Sequence, residues 1–247
     1  MIFDFDGVLV DSIEEVVLTA YNAGYDLSLT DQSELPPLYP EVFRLNRHHV
    51  QPAGDFLPYT RWCVEQAKRG KLEELGRAEY AALIAEDASP LKKRAELFFS
   101  ARQRFLKLAP KHWFELHTPY QPLWNHLRSM MIEPPWILTN KNKQAVIELC
   151  RHFDLLVKEE RIYSGEGGKT KTENFISLSR TLPHSQLNFI DDSVHNLIEL
   201  RRDLTKVGLD LELLHANWGY VGGDDIATAQ EWGFASLSQN EFLKTLN

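Results

Sequence analysis

Cysteine is nearly absent: the 247 residues include only Cys63 and Cys150, neither at the spacing of a metal site. A disulfide framework is therefore excluded, and a reducing compartment, the cytoplasm, is expected. Long apolar runs are missing too. None approaches the ~20 residues that a membrane-spanning helix needs, so no membrane partner is expected. Positive charge is in deficit, with 27 Lys and Arg against 35 Asp and Glu, a formal net charge of −8. Nucleic-acid phosphates call for a basic face, so a nucleic-acid partner is not expected either. The local cluster Lys92-Lys93-Arg94 reads as a solvated helix face. No secretory leader is expected, because the first apolar strand begins at once and carries Asp4. Repeats and low-complexity tracts are lacking. What remains is an ordinary enzyme-like composition, 43% hydrophobic and 25% charged, long enough for one large domain or two small ones.

Four short segments each end an apolar run in a polar residue. They are Ile2-Phe3-Asp4-Phe5-Asp6-Gly7, Trp136-Ile137-Leu138-Thr139-Asn140, the stretch ending at Lys169, and Leu187-Asn188-Phe189-Ile190-Asp191-Asp192. Such runs read as buried strands of a parallel sheet. In an open α/β sheet the carboxyl ends of the strands line the ligand crevice. Asp4, Asp6, Thr139, Lys169, Asp191 and Asp192 are thus expected around one cavity. Four crowded carboxylates repel unless a cation joins them, and oxygen ligands suit Mg²⁺. A hydroxyl and an ammonium beside that cation make a cradle for a phosphoryl group.

Far more chain separates Asp6 from Thr139 than the ~30 residues of a βαβ unit. The excess reads as helical, with a helix from residue 14 and others over 59–70, 77–88 and 91–108, punctuated by Pro36, Pro37, Pro40, Pro52 and Pro58. Beyond it strand and helix alternate. Helices are expected over 123–130, 143–153, 173–180 and 194–202, and a strand over 211–216. This predicts an α/β fold, a doubly wound parallel sheet with a helical second domain.

Asp4-Phe5-Asp6-Gly7-Val8-Leu9-Val10-Asp11-Ser12 resembles the first motif of the haloacid dehalogenase (HAD) superfamily: a nucleophilic Asp, any residue, a second Asp, Gly, then a hydrophobic stretch. Leu138-Thr139-Asn140 is similar to its second motif, and residues 168–175 resemble its third, with Thr at both usual proline positions. Ile190-Asp191-Asp192-Ser193 is similar to the acidic fourth, and Trp218-Gly219-Tyr220 resembles a late segment of phosphoglycolate phosphatase-like members. The motifs stand in family order. The resemblance implies a Rossmann-like core over 1–12 and 110–247 and a C1-type cap over 13–109.

It also implies roles. Asp4 would be the nucleophile and Asp6 the acid and base. Asp6 makes dehalogenation unexpected, since a halide needs no proton donor. Thr139, Asn140 and Lys169 would bind the phosphoryl group. Lys171 competes for the lysine role, and Lys169 is preferred because it aligns when Glu173 and Phe175 keep register. Asp4, Asp191, Asp192 and the backbone carbonyl of Asp6 would hold Mg²⁺, with Asn196 orienting that shell. Without the resemblance, Asp4 and Asp6 could be turn residues, and Asp191-Asp192 an acidic helix start. His195 reads as a helix residue. Arg44, Arg47, His48 and His49 read as a surface patch, or else as a site for a second anion of the substrate. The expected function is hydrolysis of a small phosphorylated metabolite. The alternatives are a β-phosphoglucomutase-like phosphomutase or a catalytically silent binding protein. A receiver domain places its acidic pair first, and here Asp191-Asp192 comes last.

Overall fold

The structure, a computed structural model, describes residues 1–129, 133–166, 169–183, 187–209 and 211–246. The chain divides into two compact units, Met1–Asp11 with Thr118–Asn247, and Ser12–His117.

The first unit carries strands β1 (Ile2–Phe3), β2 (Val10–Asp11), β3 (Thr118–Pro119), β4 (Trp136–Thr139), β5 (Ile162–Ser164), β6 (Phe189–Asp191), β7 (Leu213–Ala216) and β8 (Ala235–Leu237). Six of them form a parallel sheet in the order β5-β4-β1-β6-β7-β8. Counted along the chain, these are its third, second, first, fourth, fifth and sixth strands. Strand order therefore reverses around β1, and the ends of β1, β4 and β6 flank the switch point where such sheets bind ligands. Ile2 pairs with Trp136 on one side and Phe189 on the other. The central strands are apolar on both faces because helices cover both: Ile137, Leu138, Phe189 and Ile190 are fully buried. β2 and β3 pair antiparallel as a separate ribbon.

Helices of the two units are numbered together in chain order. The helical unit has α1 (Ile13–Tyr25), α2 (Tyr39–Asn46), α3 (Phe56–Lys68), α4 (Arg77–Glu86), α5 (Leu91–Leu108) and α6 (Pro110–Glu115). The sheet unit has α7 (Gln121–Ser129), α8 (Lys143–His152), α9 (Lys171–Ser179), α10 (Val194–Lys206), α11 (Asp225–Glu231) and α12 (Gln239–Thr245). The helix expected over 123–130 begins two residues earlier, and Met130 lies outside the described residues. Pro40 and Pro58 do not interrupt helices: each lies in the first turn, of α2 and of α3, where a missing N–H costs nothing.

The helical unit ends later than the expected residue 109. α6 stays with it because Trp113 is fully buried there and accepts at its carbonyl from His117 Nδ1 (2.8 Å). Its interior contains an ion pair: fully buried Glu15 receives Arg102 Nε and Nη2, each at 2.9 Å, and the Thr19 hydroxyl at 2.6 Å. Arg44 grips Glu14 through Nε (2.7 Å) and Nη2 (2.6 Å). Arg47 donates to the Val50 carbonyl (2.6 Å) and lies over the Phe56 ring at 4.9 Å. Both arginines are thus engaged within their own unit. Cys63 in α3 and Cys150 in α8 are free, buried thiols, pushed up from their ordinary pKa by burial. Among the described residues, no helix is long and apolar enough to cross a membrane.

Candidate active site

Asp4 continues the ladder of β1: its N–H donates to the Ile190 carbonyl at 2.9 Å. The chain then coils at once. The Phe5 carbonyl accepts from Leu9 N (2.9 Å) and Val10 N (3.0 Å), and Gly7 N donates to Val10 O (2.9 Å). Gly7 has φ of +84°, a conformation costly for any side chain. A Cβ there would also lie 2.0 Å from Asp192 Oδ2. The glycine that follows the two aspartates is therefore required twice, by its own backbone and by the close approach of Asp192.

Asp191 ends β6, and Ser193 caps α10, its hydroxyl accepting from Asn196 N at 3.3 Å. Asp4, Asp191 and Asp192 are all buried, and each offers an oxygen within 4.8 Å of the others. Three hard carboxylate oxygens so close fit a divalent cation of the Mg²⁺ type. Lys171 binds the same group: its Nζ lies 2.8 Å from Asp4 Oδ2 and 2.6 Å from Asp191 Oδ2. Asp191 also accepts from Ser193 N (2.9 Å) and Asn196 Nδ2 (3.1 Å to Oδ2). Asp192 Oδ2 accepts from Tyr220 N at 2.7 Å. Trp218 Nε1 donates to Val8 O (3.1 Å) and the Tyr220 hydroxyl to Asp11 Oδ1 (2.9 Å). A Cβ on Gly219 would stand 2.3 Å from Gly7 O. The 218–220 loop thus clasps the coil after Asp4. Beneath it, His215 Nε2 meets the Asp192 carbonyl at 3.1 Å. Burial lowers the pKa of that imidazole, and since a carbonyl can only accept, Nε2 carries the proton.

The third motif needs correction. The preferred lysine, Lys169, is exposed, and Lys171 reaches the carboxylates instead. The strand expected to end at Lys169 ends at Ser164, and residue 168 of that motif lies outside the described residues. Thr170 caps α9 in a reciprocal box with Glu173, so Lys171 is the first helical residue. Helical side chains lean toward the N-terminus, and that lean favours reach from Lys171 to Asp4.

Thr139 closes β4, buried, its hydroxyl accepting Lys141 N at 3.1 Å; half-buried Asn140 follows. The Asp6 carboxylate is not part of the three-carboxylate cluster. It accepts from Lys141 Nζ at 3.0 Å.

Burial raises the Asp4 carboxyl to about 7, with Lys171 opposing the rise and Asp191 adding to it. Burial also acts to lower the Lys171 ammonium, but Asp191 and Asp4 outweigh it and hold it above its ordinary value. The folded chain therefore keeps a proton on Asp4 up to about pH 7, while the unfolded chain releases it near 3.8. Asp4 thus subtracts stability increasingly as pH rises through that window. Metal-free Asp4→Asn is expected to melt above wild type at pH 8, by ~2–4 °C for each kcal/mol relieved. The difference should vanish toward pH 4. Equal melting curves at both pH values would contradict it.

No protein-family model and no curated protein matches this sequence. Solved structures do match over nearly the whole chain. A predicted phosphoglycolate phosphatase from Haemophilus somnus 129pt superposes with a TM-score of 0.60 at 18% identity, covering 100% of this chain and 96% of its own. A predicted phosphatase from Clostridium acetobutylicum gives 0.57 at 15%, covering 99% and 96%. A haloacid dehalogenase-like protein from Bacteroides fragilis gives 0.55 at 14%, covering 96% and 95%. The chain has the haloacid dehalogenase fold. Identities this low speak to the fold alone, and within that fold the motif residues Asp4, Thr139, Asp191 and Asp192 fall at the ends of β1, β4 and β6.

Two residues of this HAD-fold site were not anticipated. Lys141 had no expected role, although it directly follows Thr139-Asn140; its side chain is wholly buried and paired with Asp6, and lysine is almost never so buried without a partner. His215 lay inside an expected strand, where an ionisable residue in an apolar run was the available signal.

Proposed function

We propose that this protein is a Mg²⁺-dependent phosphohydrolase of small phosphomonoesters, working through an aspartyl-phosphate on Asp4. The observation that carries the reading is Lys171 bridging Asp4 and Asp191 within a buried three-carboxylate cluster at the sheet's switch point. Structural neighbours that are themselves predicted phosphatases support the same chemistry.

In this reading Asp4, Asp191 and Asp192, with the Asp6 backbone carbonyl, hold the cation. When bound, it supplies charge neutralisation for the phosphoryl oxygens. Lys171 and Thr139 add an ammonium and a hydroxyl to the same group, and Asn140 contributes beside them. An Asp4 oxygen attacks phosphorus and the ester P–O bond breaks, with Asp6 giving its proton to the leaving oxygen. Water then attacks phosphorus while Asp6 takes its proton. The bond to Asp4 breaks, and inorganic phosphate leaves. The helical unit takes the role of substrate-selecting cap, and the cytoplasm is the working compartment.

The test is hydrolysis of 4-nitrophenyl phosphate by purified protein with Mg²⁺. Exhaustive chelation should reduce the rate at least ~100-fold, equivalent to ~3 kcal/mol, and added Mg²⁺ should restore it. Full activity after chelation would overturn the metal assignment. Absence of hydrolysis across a panel of phosphomonoesters would overturn the activity itself.

A further inference from the structure

Lys141 has a side chain with no exposed surface, and its Nζ stands 3.0 Å from Asp6 Oδ1, whose side chain is 19% exposed. Burying an ammonium so completely is costly unless a partner compensates. Its reach is preset: the Lys141 N–H is tied to the Thr139 hydroxyl at 3.1 Å, so the residue leaves the end of β4 in a fixed direction. Asp6 comes from the coil after β1, the neighbouring strand. The pair therefore joins the two strand ends on one side of the switch point. Lys171, on the other side, joins β1 to β6 through Asp4 and Asp191. The two lysines divide the work: one meets the nucleophile, the other meets the residue two positions on.

We propose that Lys141 is a positioning residue that acts through Asp6, fixing the rotation of its carboxyl group for both proton transfers. The proposal rests on the acid–base role given to Asp6 above. A carboxyl group on a short side chain turns freely about its last bond, and a misplacement of ~1 Å can cost on the order of 100-fold in rate. An ammonium anchored on one oxygen removes that freedom. The other carboxyl oxygen is then presented first to the leaving group and afterwards to water.

A double-mutant cycle on the full chain tests this, using 4-nitrophenyl phosphate with Mg²⁺ and acid-quench trapping of the phosphoenzyme. Lys141→Met should lower kcat at least ~10-fold in the wild-type background but less than ~2-fold in an Asp6→Asn background, because a residue acting only through Asp6 has nothing left to act on. Lys141→Met and Asp6→Asn should also leave the same phosphoenzyme step slowed. Lys141→Arg, which restores a cationic donor, should recover part of the loss only where Asp6 is present. Equal factors in both backgrounds, for Met and for a second variant Lys141→Gln with wild-type melting, would overturn the proposal. Failure of the underlying reading has a different signature. If Asp6→Asn alone matches wild type, Asp6 is not the acid and base, and the proposal falls with that assignment.

Discussion

Asp4→Asn is expected to reduce turnover of any phosphomonoester on the order of 10⁴-fold or more, to background, while the fold survives. An amide oxygen cannot attack phosphorus to give a hydrolysable acyl phosphate. The substitution is nearly isosteric: an amide oxygen can take the Phe5 N–H bond that Asp4 Oδ1 accepts, and Lys171, which loses Asp4 Oδ2, keeps its bond to Asp191. Acid-quenched wild type should carry phosphate in an acid-stable, base-labile linkage, and the variant none. Wild-type activity in Asp4→Asn would remove the covalent mechanism. Since the same substitution is expected to raise the melting point at pH 8, loss of activity and loss of folding separate cleanly in one sample.

The second large effect concerns the two competing lysines. Lys171→Ala should lower kcat/KM by ~10²–10³-fold, the range for removing one charged contact from a transferring group. Lys169→Ala should change it less than ~2-fold, as expected of an exposed side chain. Lys171→Ala also leaves buried Asp4 and Asp191 without the ammonium now between them. Its measured loss therefore contains both missing stabilisation and carboxylate repulsion. Lys171→Arg separates them, retaining charge with altered reach. The reverse ranking of Lys169 and Lys171 would return the role to Lys169.

Much of this architecture was legible because it is written in period and position. Apolar runs ending at Asp4, Thr139 and Asp191 are buried strands that end beside the point where strand order reverses, and the amphipathic pattern over 91–108 is α5 residue for residue. The difference between Lys169 and Lys171 has a physical origin. Alignment by spacing treated the segment before it as a strand end, whereas the decisive signal was the local box of Thr170 with Glu173, which starts α9 at Lys171. Lys141 escaped notice because lysine in a polar loop ordinarily reads as solvated. Only burial distinguishes it, and burial of a loop residue depends on tertiary packing that periodicity does not encode. Residues 39–46 were hidden by Pro40 and by Pro36 and Pro37 before it, which read as breaks when Pro40 in fact lies in the first turn of a helix.

The central position of β1 has a consequence for how the chain is made. Ile2 and Phe3 find their partners only at Trp136–Ile137 and Phe189–Ile190, and the 218–220 clasp comes later still. At ~5–20 residues per second, an emerging chain waits on the order of ten seconds or more between synthesis of Phe3 and of Asp191. The helical unit, contiguous from Ser12 to His117, can collapse within that interval on its own local contacts. The apolar segment around Phe3 and Phe5 has no partner in the sheet until Trp136–Ile137 is made. Asp4 and Asp6 interrupt it at alternate positions, where charges discourage strand-to-strand aggregation. The two carboxylates assigned to chemistry in the finished protein thus also place charge within a strand whose neighbours lie far along the chain.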